Sequence, residues 1–502
     1  MKNRSKGIAL SYVNSGLSMI CGLFLSSYLL RMLGDTEYGV YQTVSAFANY
    51  LVLFEFGTGT VMTRNLSMCF GKKASREEID KNVSTIWTIT NILAVFILIV
   101  SVVFYCLIGV IYTKSLTVEQ IAYSRNIFVF ITFYLVFSFY TQTMNGVVLA
   151  CEKYTFSSSV SVIKLIVRTL LLTALIFILK YSIVIAIVDM CLSLIIACYE
   201  YLYCIKKCNI KFTMKYFDKQ IFKNALPLCM AIFMQTIVNQ ANNNVDKFVI
   251  GIMLTPELVA LYSVGMYVFS SFSSFTTIPI SMYAPQIVKN VAGGMRGKEL
   301  TKTLIEPSRL ITLIGGSILF GFVAAGKQFI TIVYGKSYIQ AYIIAVLVMV
   351  PMFMNMSNGV IINILDAMNK RIYRSNVLLL TTIANIILTV ILIKNHGIVG
   401  AAFATAICTF VGQVIIMNIY YSKNIGISVM YLFKETYKGM LLYQLVASVV
   451  AYFVGQAINN VYLSFVASIV LYLLIFGVAF VVDKRNKNEL KQIFSMVKRK
   501  ND

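Results

Sequence analysis

Residues 94–112 read AVFILIVSVVFYCLIGVIY, nineteen residues without a charge. At 1.5 Å of rise per residue a helix of that length comes close to the thickness of a bilayer's hydrocarbon layer, about 30 Å. Similar tracts recur from end to end of the 502-residue chain, so no stretch is left over for a soluble domain. Composition agrees. The chain is 59% hydrophobic and 13% charged with mean hydropathy +0.79, whereas about a quarter of the residues in a soluble domain are charged. The expected class is an all-α integral membrane protein, because a helix satisfies its own backbone hydrogen bonds where no water can.

Loop and breaker residues divide the chain into fourteen expected helices. They run over 8–33, 38–69, 83–112, 120–150, 155–179, 182–205, 221–253, 257–290, 304–326, 331–365, 372–394, 398–421, 433–458 and 461–482. An even number puts both termini on one side. On that side the connecting segments carry 32 Lys and Arg, against seven on the other. Cytoplasmic loops are the basic ones, so both termini are expected in the cytoplasm of a multi-pass protein of the cell membrane. The longest hydrophilic run, residues 204–227, reads CIKKCNIKFTMKYFDKQIFKNALP, with Lys206, Lys207, Lys211, Lys215, Lys219 and Lys223 against Asp218 alone. It reads as a hinge between an N-lobe (residues 1–210, six spans) and a C-lobe (211–425, six spans), with 426–502 adding two spans and a basic tail.

Several classes are excluded. A net charge of +23 suggests nucleic acid only where basic residues cluster on a folded soluble face. Here they sit between apolar spans, where they mark topology and attract anionic lipid heads. The basic start Lys2, Arg4 and Lys6 runs into a first span too long for a signal peptide's apolar region, so that span is expected to remain. Ten cysteines without a CxxC pair, and His396 as the single histidine, indicate neither a disulfide framework nor a metal site. Gly293-Gly294-Met295-Arg296-Gly297-Lys298 resembles a P-loop but lacks its first glycine, with Ala292 there, and its Ser or Thr, with Glu299 there. A membrane glycan polymerase or glycosyltransferase is the less favoured alternative, because such enzymes usually show a sizeable external loop with carboxylates or a histidine, whereas the expected external loops are short. The reading is a transporter without cofactor, not an enzyme.

The two halves resemble each other. Asn145-Gly146-Val147-Val148 and Asn358-Gly359-Val360-Ile361 stand six spans apart, as do the stretches from Glu37 to Tyr41 and from Glu257 to Tyr262. Internal repeats with a binding site at their interface are a common transporter plan.

Near the N-terminus, Leu33-Gly34 with Tyr38-Gly39 forms a Leu-Gly-x-x-x-Tyr-Gly turn, followed by Glu55-Phe56-Gly57 and Arg64. Asn244-Val245-Asp246-Lys247, Pro279 with Pro285, and Gly400-Ala401-Ala402 follow in later spans. In these motifs the chain resembles the polysaccharide-exporter branch (Wzx-type oligosaccharide flippases) of the multidrug/oligosaccharidyl-lipid/polysaccharide (MOP) superfamily. The resemblance implies about 14 transmembrane helices, with two six-helix lobes around a central cavity (MOP/MATE-like) and two extra C-terminal helices. It implies a monomer that flips polyprenyl-diphosphate-linked oligosaccharide units to the outer leaflet for O-antigen, capsule or exopolysaccharide synthesis, with polymerase and chain-length proteins of the same pathway as partners. The alternatives are a lipid II-type flippase, whose first span usually carries basic residues, absent here from Ile8 to Leu30, and a drug/cation-coupled exporter.

Four cations fall inside spans: Arg64, Lys164, Arg168 and Lys247. Each costs about 2.5 to 3.5 kcal/mol at a helix centre, so each is expected to meet water or a partner. Lys164 and Arg168, four apart, share a helix face. Gln235, Asn239, Asn242 and Asp246 form a polar stripe on the seventh span. The functional expectation is that the cations neutralise a diphosphate while Asn and Gln side chains, Asn145 and Asn358 included, bond sugar hydroxyls. The plainer alternative is that Lys247 pairs with Asp246 and Arg64 snorkels to the interface. Glu55, Asp189 and Asp246 are the candidates for proton or sodium coupling. Coupling is not required, because a negative interior itself assists an exported anion by about 2.3 kcal/mol per charge per 100 mV. The plainer reading of these acids is pairing with a nearby cation.

Overall fold

The computed structural model describes residues 2–368, 370–483 and 486. Among these residues every regular element is helical. They form two compact units, Met1–Ser263 and Val264–Asp502.

The first unit holds α1 (Lys2–Leu33), α2 (Asp35–Ala48), α3 (Thr58–Gly71), α4 (Arg76–Ile111), α5 (Val118–Ala150), α6 (Tyr154–Leu179), α7 (Ile183–Lys207) and α8 (Lys219–Met253), and its boundary falls within α9 (Pro256–Ala292). Within it α5 packs mainly on α7 and α3, and α1 on α6. Chemistry at the helix ends explains several boundaries. Ser75 Oγ accepts from Glu78 N to start α4, and Thr117 with Gln120 forms a reciprocal cap on α5. Each such cap supplies acceptors for amides that the helix cannot satisfy itself, about 1 kcal/mol apiece. The turn between α1 and α2 uses Gly34 at φ 80. Five residues on, Gly39 lets a backbone approach, since a Cβ there would lie 2.0 Å from the Pro256 carbonyl oxygen.

The second expected span, 38–69, is not one helix. After α2 the chain tightens into a 3₁₀ turn over Asn49–Glu55, then Phe56 and Gly57 both take left-handed conformations, φ 52 and 67. Two such residues in succession end a right-handed helix, and Gly57 tolerates this without steric cost. Beyond the break α3 lies close to α5. A Cβ on Gly59 would come within 2.4 Å of the Gln142 carbonyl oxygen, and one on Gly146 within 2.4 Å of the Gly59 carbonyl oxygen.

The segment 204–227, expected as a hinge, is tied to α4. Ser84 and Thr85 of α4 accept from Tyr216 N and Asp218 N, and Trp87 packs on Phe212 with ring centroids 4.5 Å apart. Asp218 then caps α8, which packs back into the first unit. Phe248 stacks on Phe47 at 5.9 Å, and Gly251 sits against Thr43 and Tyr112. The first compact unit therefore runs on to Ser263, past the lobe limit expected at residue 210.

The second unit contains α10 (Gly297–Val333), α11 (Gln340–Ser357), α12 (Ile361–Ala367), α13 (Arg371–Thr409), α14 (Met417–Tyr420) between two π-helical stretches (Phe410–Ile416 and Tyr421–Ile425), α15 (Val429–Tyr437), α16 (Leu441–Gln456) and α17 (Val461–Val482). The tenth expected span divides at Asn358-Gly359 into α11 and α12. The eleventh and twelfth run together through a non-helical Gly397 (φ 57, ψ −143). The segment from residue 426 onward packs within this unit: α16 and α17 lie on α10, joined by Gln328 to Ser464 at 2.9 Å and Lys327 to Tyr452 at 2.7 Å. Arg309, within the expected helix 304–326, and Lys327, one residue beyond it, both lie inside α10, which extends past that span at both ends.

Ten helices among the described residues are long and apolar enough to cross a membrane, or 11 if α15 and α16, bent by 47°, count as one. The other expected spans are the second, broken at its middle, the polar α8, and the pair joined through Gly397.

Candidate charged site

Deep charges gather between α6 and α7. Arg168 and Asp189 form a bidentate pair, Nε to Oδ1 at 2.5 Å and Nη2 to Oδ2 at 2.9 Å, with side chains 30% and 14% exposed. Two parallel charge-assisted bonds fix both planes, the geometry at which arginine excels. One turn earlier on α6, the Lys164 ammonium lies 5.8 Å from the centre of the Tyr134 ring on α5. It interacts electrostatically with Asp189 and with Glu200 of α7. Among the described residues Lys164 joins no ion pair within 4.0 Å. Glu200 is 5% exposed, and its Oε2 has no hydrogen-bond partner among them. Two cations and two acids thus occupy one helix pair, with the Arg168 charge compensated and the Lys164 charge held against an aromatic face.

Glu200 was not an expected site residue. It lies at the end of an apolar run, next to the basic stretch 204–227, where an acid reads as interfacial. The one signal for it is its spacing of 11 residues from Asp189, three helical turns at 3.6 residues each, which puts both on one face of α7.

The other expected residues are distributed. Glu55 sits at the broken point of the second span and accepts from Gln142 Nε2 at 2.9 Å. Beside the break, hydroxyls link Thr58 to Thr143 at 2.8 Å and Thr143 to Thr90 at 3.1 Å. Asp246 is buried and accepts from the Tyr262 hydroxyl at 2.6 Å, while the adjacent Lys247 is half-buried. Asn145 is half-buried on α5, with its Oδ1 unsatisfied among the described residues. Asn358, in the second unit, donates to Asn418 at 3.4 Å. Arg64 is exposed on α3. The side chains of Gln235, Asn239 and Asn242 lie outside the described residues.

Helices of this length and order, with charged side chains held between α6 and α7, make this a multi-pass membrane protein. The chain belongs to the family described as polysaccharide biosynthesis protein, which matches residues 5–291. It is similar to a probable low-salt glycan biosynthesis flippase, Agl15, of Haloferax volcanii, 26% identical over 188 residues. That match spans 37% of this chain and 39% of the relative. In fold it is similar to the lipid II flippase MurJ in its inward closed conformation, at a TM-score of 0.71 and 18% identity, over 95% of this chain and 99% of that one. An inward-facing multidrug resistance MATE family transporter of the MOP superfamily matches at a TM-score of 0.57 and 14% identity, over 84% of this chain and 95% of that one.

Proposed function

We propose that this protein flips polyprenyl-diphosphate-linked oligosaccharide units from the inner to the outer leaflet of the cell membrane, by alternating access, for assembly of a surface polysaccharide. Its termini face the cytoplasm, and polymerase and chain-length proteins of the same pathway receive its product. The observation that carries the reading, within the family the chain belongs to, is Lys164. It is a lysine well inside a span, without an ion-pair partner among the described residues, beside an arginine fixed by a carboxylate. A deep cation that no carboxylate contacts directly is costly, and an anion bound against it lowers that cost. In this reading Lys164 takes the diphosphate as a point charge, and Arg168 exchanges part of its bond to Asp189 for the phosphate oxygens. Lys247 and Arg64 extend the cationic path, and Asn145, Asn358, Gln235, Asn239 and Asn242 bond the sugar.

The test is complementation of surface polysaccharide export with Lys164→Ala, Arg168→Ala and the double variant at matched membrane levels. Export is expected to be lost in the double variant, and full export there overturns the assignment. A second reading, transport of a lipid II-type substrate, is favoured by the fold match to MurJ. Proteoliposomes carrying each lipid-linked substrate separate the two. The same vesicles test coupling through Glu55, Asp189 or Asp246: a flip rate indifferent to both proton and sodium gradients rules it out.

A further inference from the structure

The glycine-rich stretch 293–298 fails as a nucleotide loop, yet it shapes a pocket. In the second unit the end of α9 (Val288, Val291), this turn (Arg296), the end of α12 (Ala367, Met368), Lys370 and the end of the last π-helical stretch (Asn424, Ile425) line an open cleft of about 530 Å³. That is within the size range of small-ligand sites, roughly 300 to 1,000 Å³. Its walls mix apolar side chains with Arg296, Lys370 and Asn424, and the charged side chains among its described lining residues are both cations.

The cations are held in place by the backbone around them. Arg296 donates through Nη1 to the carbonyl oxygens of Val291 at 2.8 Å and Met295 at 2.7 Å. Both bonds use one nitrogen, which leaves the other guanidinium edge for a bidentate acceptor. Lys370 donates to the Asn424 carbonyl oxygen at 3.1 Å, one of its three ammonium hydrogens. Left-handed Gly294 (φ 89) and Gly297 (φ 56) lead directly into the 37-residue α10, whose N-cap residue Arg296 makes no side-chain cap. The first amides of that helix add a positive end near the same turn. Gly426 packs on Gly297, with an added Cβ on Gly297 meeting the Gly426 carbonyl oxygen at 3.8 Å, and Ser428 N donates to Thr301 at 3.1 Å. These contacts hold Asn424 beside the arginine.

Apolar surface adjoins the cations. Ile372 is 74% exposed two residues after Lys370, and Val288 is 41% exposed on the pocket wall. A pair of fixed cations next to exposed hydrocarbon suits a ligand that is itself half phosphate and half hydrocarbon. A basic pocket at the end of a membrane helix bundle recognises such headgroups.

We propose that the pocket bounded by Arg296, Lys370 and Asn424 binds the phosphate group of an anionic lipid headgroup. The site lies in the second unit, uses none of the deep charges of α6 and α7, and stands independently of what the protein transports.

The experiment is native mass spectrometry of the full-length, delipidated protein titrated with phosphatidylglycerol, phosphatidylcholine or inorganic phosphate. Phosphatidylglycerol is expected to bind in preference to phosphatidylcholine. Its affinity is expected to fall about thirtyfold in Arg296→Gln/Lys370→Gln, from two basic groups at about 1 kcal/mol each. The charge-retaining Arg296→Lys/Lys370→Arg is expected to keep most of the binding, which separates lost charge from lost fold. Filling the pocket with Ala367→Phe is expected to weaken binding while leaving both cations in place. Equal phosphatidylglycerol binding by the wild type and the charge-removing variant overturns the proposal. So does binding of inorganic phosphate without binding of the lipid.

Discussion

Arg168 and Arg309 are both arginines within long helices, one in each unit, and their surroundings give them different work. Arg168 faces a carboxylate on the neighbouring helix, keeps 30% of its side chain accessible, and has a lysine one turn away. Arg309 is 2% exposed. It donates to the carbonyl oxygens of Glu435 at 2.8 Å and Lys438 at 3.0 Å and to Asn486 Oδ1 at 2.5 Å. Those carbonyls stand at the C-terminal end of α15, which a cation satisfies both by hydrogen bonding and through the helix dipole. Arg309 ties α10 to the bend before α16, and Asn486 adds a bond to the Gly439 carbonyl oxygen at 2.9 Å. An arginine closed in by backbone oxygens serves architecture, whereas one poised between a carboxylate and accessible space can change partners.

The contrast can be broken by mutation. The largest effect is expected for Arg309→Ala, which removes three charge-assisted bonds and leaves their acceptors buried, a loss of about 4 kcal/mol. It should show as a lower unfolding temperature and a smaller folded fraction, with transport per folded molecule retained. Next, Arg168→Ala leaves Asp189 without its cation and is expected to destabilise by about 2 kcal/mol, reduced from the fully buried case by partial exposure. Adding Asp189→Ala should restore most of that stability while export stays lost. If the double variant recovers export, the pair is architectural like Arg309 and the comparison fails.

Smaller effects sharpen the picture around the two units. Gly59→Ala places a methyl against the Gln142 carbonyl oxygen at a nominal 2.4 Å and should cost about 1 to 3 kcal/mol through a forced shift of α3 from α5. Gly477→Ala in α17 meets nothing within 4 Å and should show no loss in the same thermal assay. A similarly small change is expected for Arg64→Gln on the exposed face of α3, within about 0.5 kcal/mol. Any export defect there therefore reports on transport and not on folding.

The fold class was legible because a bilayer makes secondary structure a local matter. A tract that must satisfy its own backbone in hydrocarbon is a helix whatever surrounds it, so residues 94–112 needed no neighbours to be read. Gly34 was legible as a turn residue through the Leu-Gly-x-x-x-Tyr-Gly motif, whereas Gly39 of the same motif lies within α2 and admits the Pro256 backbone. The break at Phe56-Gly57 was only half legible. Gly57 stood out as part of the Glu55-Phe56-Gly57 motif, and the left-handed pair leads into a close approach of α3 to α5 that no local pattern encodes. Lys164, Arg168 and Asp189 were legible as costly intramembrane charges, since desolvation penalises them individually.

What the chain alone determined is therefore what each residue must avoid: polar backbone in lipid, and a deep charge left without water or a partner. Which group answers each requirement was decided only by tertiary structure. Arg168 meets Asp189 across 21 residues of sequence, and Arg309 meets Asn486 across 177. Pairing energies depend on distance and dielectric in space, and separation along the chain fixes neither.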